Sequence, residues 1–332
     1  MLQRSSIHIN STHYSLEEIT EGVFIAISLD GGGAMGNAGI VDLGDRTIIF
    51  DTFETPIAAK DLRVASEFLT GRPVTWVINS HSHPDHWFGN QVFPRESIIV
   101  TSQITAELMV EYVEEIQEEK SNPSELEEFL QNKINQLEIE KDQIKKQVLI
   151  SAVGRWNFYL ESLPNLELRL PDQTFRGKIT LHGSLRDVEI IDVGPAHTPG
   201  DSYMTIPSEK IIFLGDIGFF NQLPYMADCN PDGWISILDD LINSTYQIFI
   251  PGHGHVGSAQ DLVILKEYIA MLTKMVAHAI DRGDTLDEVL NQEIPEPYKT
   301  WSIGSARPEV NTKFMYEYLS RIKHRDGFPP AE

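Results

Sequence analysis

Three imidazoles and a carboxylate fall within six residues, His81-Ser82-His83-Pro84-Asp85-His86, directly after the apolar run Val74–Asn79. Side chains alternate along extended backbone, so the H-x-H spacing puts the His81 and His83 rings on one side of a strand end. Asp85 and His86 come round the turn and face a second centre. Neutral imidazole and carboxylate are the donors that borderline cations such as Zn²⁺ favour. A single histidine in a turn is ordinarily just solvated. Four candidate ligands in six residues imply a metal site.

Further donors stand where later apolar runs end. His197 lies in Pro195-Ala196-His197-Thr198-Pro199-Gly200-Asp201, beyond the run Val188–Asp192. Asp216 follows Ile211–Gly215, and His253 follows Gln247–Ile250 within Pro251-Gly252-His253-Gly254-His255, where His255 is the alternative donor. Loops at strand ends carry sites because a rigid scaffold positions them. Each donor alone is a weak signal. Together with the first cluster they make seven ligands, enough for two metals that share one carboxylate.

The elements that must position these groups are β-rich on both sides of a helical stretch. Val23–Leu29, Ala38–Leu43 and Thr47–Phe50 read as strands, with Gly44-Asp45 as a hairpin turn. Gly31-Gly32-Gly33 lacks the helix and the Lys-Ser/Thr of a phosphate loop and reads as a mobile hairpin tip. From Thr105 to Phe158 the period becomes helical. Asn122-Pro123-Ser124-Glu125 marks a restart, with Asn as cap and Pro at the first helical position. Leu130, Ile134, Leu137, Lys141, Ile144 and Val148 then alternate as a two-heptad seam flawed by Lys141. Strand-like runs resume after Pro171, at Ile179–Leu181, Val188–Asp192, Tyr203–Ile206, Ile211–Leu214 and Gln247–Ile250. From Ser258 the chain is helical again, with Leu265, Ile269, Leu272, Val276 and Ala279 on one stripe ending near Gly283. Two β-rich stretches, each with helices, suggest two packed sheets with helices outside.

Composition limits the partners. The chain of 332 residues has 49 acidic and 26 basic side chains, a net charge of −23. Such a surface repels phosphate backbones, which argues against nucleic acid. The single cysteine, Cys229, allows no intramolecular disulfide. No apolar stretch follows Met1–Ser6 as in a secretory signal, and none is long enough to span a membrane. The expectation is a cytoplasmic protein acting on a small molecule.

In order, H-S-H-P-D-H, H-T-P-G-D, F-L-G-D and P-G-H-G resemble the metallo-β-lactamase-fold hydrolases over residues 20–256. The resemblance implies an α/β fold, the αββα four-layer sandwich, with a two-metal site along one edge. It implies that residues 1–257 form the hydrolase domain, with 105–158 as a helical insertion and 258–332 as a helical extension packed on the same domain. By motif, His81, His83 and His197 would hold one Zn²⁺, and Asp85, His86 and His253 the other, with Asp216 as bridge and Asp51 supporting the ligands from behind. Mn²⁺ or Fe²⁺ are the other candidate occupants. Lactamases of the family resemble this pattern but carry Cys or a non-ligand at the Asp216 position. The quorum-quenching lactonases often place Tyr where this chain has Phe219, and Tyr225 is the substitute. Flavodiiron relatives carry Glu at the His83 position, so His83 points to zinc-type hydrolysis.

The activity this implies is hydrolysis of an ester, lactone, thioester or amide through a metal-bridging hydroxide, with Asp85 orienting it and moving its proton. An iron-dependent oxidoreductase or dioxygenase, a β-lactamase-like enzyme and a phosphodiesterase are the alternatives. The insertion folds back on itself, covers the core domain as a roof over the site, or pairs with the other subunit of a homodimer.

Overall fold

The structure, a computed structural model, describes residues 11–301 and 308–325. The Met1–Ser6 stretch and the end of the 258–332 extension lie outside the described residues.

Short apolar runs separated by turns build the first sheet. Strands β1 (Tyr14–Thr20), β2 (Val23–Ser28), β3 (Ala38–Asp42) and β4 (Thr47–Phe50) pair antiparallel in order. Parallel pairing needs a crossover, which helix α1 (Pro56–Thr70) supplies between β4 and β5 (Trp76–Ile78). Thr55 caps α1 by accepting from the Ala58 amide, and Gly71 ends it at φ +69°. β6 (Ile98–Ser102) follows. Three helices then leave the sheet, α2 (Gln103–Ser121), α3 (Ser124–Ile139) and α4 (Gln143–Ser162), before β7 (Gln173–Phe175) completes it.

The second sheet runs β8 (Lys178–Leu181), β9 (Val188–Gly194), β10 (Asp201–Ile206) and β11 (Ile211–Phe220), all antiparallel. Helix α5 (Pro231–Ile242) crosses over to β12 (Ile248–Gly254), which pairs parallel to β11. Helices α6 (Ala259–Arg282), α7 (Leu286–Leu290) and α8 (Pro308–Arg325) close the described chain.

Burial follows the layers. Ile25, Val41, Ile48 and Phe50 of one sheet meet Ile190, Met204, Ile211 and Phe213 of the other in a closed apolar core. Ala58 and Leu62 of α1 cover the outer face of the first sheet at Ile40, Ile49 and Val77. Trp234 and Leu238 of α5, with Leu265, Ile269 and Leu272 of α6, cover the second at Ile212, Leu214 and Phe249. Each large aliphatic chain so buried contributes about 1.5–3 kcal/mol. The result is the expected αββα sandwich. No helix among the described residues is long and apolar enough to cross a membrane.

Two expectations for the helical stretch, and one for the Gly31–Gly33 tip, give way to other arrangements. The seam from Leu130 to Val148 is not one helix. Glu140 accepts from the amides of Lys141 and Asp142, and Asp142 from those of Ile144 and Lys145, so side chains take the backbone donors that a continuous helix would use. Phe129 packs on Trp156 across the resulting hairpin of α3 and α4. Asn122 closes α2 rather than capping α3, and Pro123, the residue just ahead of α3, offers it no side-chain cap. The Gly31–Gly33 tip is packed under α4 rather than free. A Cβ at Gly154 would lie 2.5 Å from the Gly31 carbonyl oxygen, so only glycine lets helix and tip approach.

Candidate metal centre

Local geometry turns the first motif inward. His83 is extended (φ −68°, ψ 142°), and Pro84–His86 make a single 3-10 turn, which sends Asp85 and His86 to a different side from His81 and His83. Behind the turn, Trp87 and Phe88 are buried with Met109 and Ile116 of α2 and Tyr159 of α4. Trp87 Nε1 donates to the Ser82 carbonyl and braces the loop.

His81, His83, His197 and Asp216 bring ligand atoms within 4.8 Å of one another, and Asp85, His86 and His253 form a second such group. Asp216 stands between them. Its Oδ2 lies 3.2 Å from His197 Nε2 and 3.3 Å from His253 Nε2, and its Oδ1 lies 3.1 Å from His86 Nε2. His253 Nε2 is 3.2 Å from Asp85 Oδ2, and His83 Nδ1 is 2.9 Å from His197 Nε2. Asp216 and His253 were expected just beyond strands, but both lie inside them. β11 continues for ten buried residues, and Gly215 (φ +55°), packed against Ser80, breaks its register with β12. That kink aims Asp216 at the histidines.

The surrounding groups fix which nitrogen each ring offers. Buried Asp51 accepts from the amide and hydroxyl of Ser80 and meets His86 Nδ1 at 2.8 Å, leaving His86 Nε2 for the cluster. Ser80 Oγ lies 2.9 Å from His81 Nδ1, leaving its Nε2 likewise. Asp201 holds the His197 loop by accepting from the amides of Ala196 and Thr198 and from the Thr198 hydroxyl. Asp228 Oδ2 lies 3.1 Å from His83 Nε2, leaving Nδ1 inward.

These donors fit divalent cations. His81 Nε2, His86 Nε2 and Asp216 Oδ1 are buried without a hydrogen-bond partner, since the 3.1 Å approach of the last two lacks hydrogen-bond geometry. Buried groups left so cost about 1–3 kcal/mol each. The cluster also calls for positive charge. Burial opposes it, but Asp216, Asp85 and Asp51 together raise the His86 pKa well above its ordinary value. His253 is pushed up to about 9, again against burial, by Asp216 and Asp85. In Asp85 and Asp216 burial would favour protonation, yet the facing histidines hold both carboxyls well below the usual range. His81, crowded by burial and then by His86, is lowered well below 6.5.

A cavity of about 290 Å³ opens beside His83 and Ser82. Helix α2 forms one wall with Leu108, Glu111, Tyr112 and Glu115; Thr198, Pro199 and Asp228 face it. Of the insertion, helix α2 thus lines this cavity. His255, the alternative donor, is turned away, 48% exposed and 3.5 Å from Asp261. Phe219 stacks flat on His253, with centroids 4.9 Å apart, and is buried behind the ring rather than facing the cavity. Tyr225 meets His83 edge-on at 5.6 Å. Sequence reasoning missed Asp228, which no motif marks and which lies 145 residues from His83. It also missed Glu111 and Glu115, whose i, i+4 spacing was the available signal.

Sandwich and cluster together define an αββα fold with a candidate metal site at one edge, and comparison specifies its family. Residues 31–253 match the family model of the metallo-beta-lactamase superfamily, and the chain belongs to that superfamily. It is 24% identical over 241 residues to the 2,4-dinitroanisole O-demethylase subunit alpha of Nocardioides sp. (strain JS1661), covering 71% of this chain and 54% of that one. The chain thus spans about half the length of this curated relative. Among solved structures, a stereoselective inverting sec-alkylsulfatase from Pseudomonas sp. superposes with TM-score 0.65 at 16% identity, covering 96% of this chain and 52% of that one. A metallo-beta-lactamase from Pontibacter korlensis gives 0.52 at 17% identity, covering 81% of this chain and 99% of its own. These two likenesses are of fold.

Proposed function

We propose that this chain is a binuclear zinc-dependent hydrolase of a small-molecule ester, lactone, thioester or amide. The observation that supports it most is Asp216, placed between two groups of ligand atoms in which His81 Nε2 and His86 Nε2 are buried without a hydrogen-bond partner. His81, His83 and His197 would hold one cation, Asp85, His86 and His253 the other, and Asp216 would contribute to both. When bound, such a pair supplies Lewis acidity toward a carbonyl oxygen and a water ionised near neutral pH. Asp85, the more exposed carboxylate of the cluster at 14%, orients the attacking water and takes its proton at Oδ2. The wall of α2 and the Thr198–Pro199 loop seat the acyl portion and exclude bulk water.

The test is elemental analysis together with a substrate panel of lactones, thioesters, β-lactams, phosphodiesters and alkyl sulfates on zinc- and manganese-loaded protein. Close to two metals per chain, and chelator-sensitive hydrolysis lost in His83→Ala, are expected. One iron per chain with no hydrolysis would overturn the reading. The O-demethylase relative favours a second reading, cleavage of an aryl methyl ether. An aryl methyl ether in the panel separates the chemistries. Hydrolysis joins water to the ether and releases methanol, whereas oxidative cleavage releases formaldehyde.

A further inference from the structure

The cavity beside His83 carries a one-sided charge. Glu111 and Glu115 stand one turn apart on α2, Asp228 faces them, and no lysine or arginine is among the described residues that line it. Tyr112 lies on the same wall between the two glutamates, and Leu108 and Pro199 supply apolar contact. His83 belongs both to this cavity and to the cluster in which His81 Nε2 and Asp216 Oδ1 are buried without partners. A group seated in the cavity is therefore joined to whatever reacts at the cluster. The volume, about 290 Å³, is roughly twice the ~150 Å³ that accommodates benzene.

An anion in this space would face Glu111, Glu115 and the His83-paired Asp228, with no lysine or arginine among the described lining residues, a like-charge placement that interfaces use to reject partners. A cation gains from the same three groups, with Tyr112 beside them on the wall. We propose that the substrate portion seated here is a cationic group, an ammonium carried on a compact apolar frame. This deepens the hydrolytic reading and rests on it for the identity of the site.

Binding of two small probes tests the charge preference without turnover. Benzyltrimethylammonium has a fixed positive charge and no lone pair for a metal; benzenesulfonate is its anionic counterpart. Titration calorimetry on the zinc-loaded full chain should show the ammonium probe binding and the sulfonate not binding. Glu111→Lys/Glu115→Lys, both on the exposed rim, should weaken the ammonium probe by about tenfold or more through charge reversal, with zinc content and circular dichroism unchanged. Glu138→Lys, equally exposed but on α3, controls for net charge and should change affinity less than about twofold. Equal or tighter binding of benzenesulfonate, loss insensitive to Glu111 and Glu115, or no ammonium binding would overturn the proposal. A silent substrate panel with intact ammonium selectivity would defeat the hydrolytic reading alone. Turnover of neutral or anionic esters without ammonium binding would defeat this proposal alone.

Discussion

His83 offers Nδ1 to the cluster only while Asp228 occupies Nε2. Partners of this kind fix ring orientation and raise ligand basicity. Burial would raise the Asp228 pKa, but the hydrogen bond to His83, the larger effect, keeps the carboxyl below its usual value. Asp228→Asn should weaken metal affinity by roughly tenfold to a hundredfold while leaving thermal stability of the chelated protein unchanged. Competition with a chromophoric chelator measures this, and unchanged affinity would reduce Asp228 to a surface acid. His13 acts on stability instead. Its neutral Nδ1 accepts from the Gly33 amide at 3.1 Å, and its ring packs edge-on against Phe158. Burial lowers its pKa from 6.5 despite Asp61 and Glu161 nearby. With the folded pKa depressed, the unfolded chain binds the proton first as pH falls. The stabilisation is thus full above the unfolded value and is lost as pH falls through it. Urea midpoints should drop more steeply for wild type than for His13→Phe between about pH 7.5 and about pH 5. Parallel slopes would remove His13 from the account.

At the scale of elements, α4 is fastened to the sandwich beside the cluster. Arg155 forms a two-pronged ion pair with Glu54, which follows Phe53 at the mouth of α1 and is 5% exposed. Burial works against Arg155, but Glu54 raises its pKa further still, so the guanidinium stays charged. Removing one partner leaves the other charge stranded, whereas removing both does not. Arg155→Ala should cost about 3 kcal/mol in denaturant unfolding, and Glu54→Leu/Arg155→Met should recover most of it. If the single and double variants cost the same, the pair does not fasten α4. Along the same hairpin Ile139, Ile144, Val148 and Ile150 are exposed, at 77%, 79%, 43% and 46%.

Across the whole molecule, the insertion joins two questions, specificity and assembly. Its α2 wall borders the cavity, while its far end carries the exposed isoleucines. Replacing residues 124–150, which spares α2 and the Arg155 clamp, with a short Gly/Ser linker separates the two. If the far end pairs subunits, light scattering should report a monomer in place of a dimer, with KM on any active panel substrate unchanged. If the hairpin helps to hold α2 over the site, KM should change and the mass per particle should not. Unchanged KM and unchanged assembly would leave residues 124–150 without either role.

The candidate metal donors and the layers were legible in the sequence on its own. Metal donors must be His or carboxylate, and the spacings H-x-H-x-D-H, with His197, Asp216 and His253 each close to a strand, are local properties readable without coordinates. The strand Thr47–Phe50, the run Val188–Asp192 within Val188–Gly194 and the apolar stripe of α6 were legible for the same reason, because alternation and helical period survive in one dimension. Other features were decided by tertiary contact. The kink at Gly215 lies against Ser80, where any added Cβ would clash, and neither residue implies the other in the chain. The break at Lys141 came from carboxylates bonding nearby amides, a competition that the heptad count cannot weigh. Strand β1, which has no partner in sequence until β2 pairs with it, was not anticipated. Asp228 and Glu54 acquire their roles only when chain segments about a hundred residues or more away arrive beside them. Charge at a site is a sum over space, so which residues contribute to it is settled by the fold.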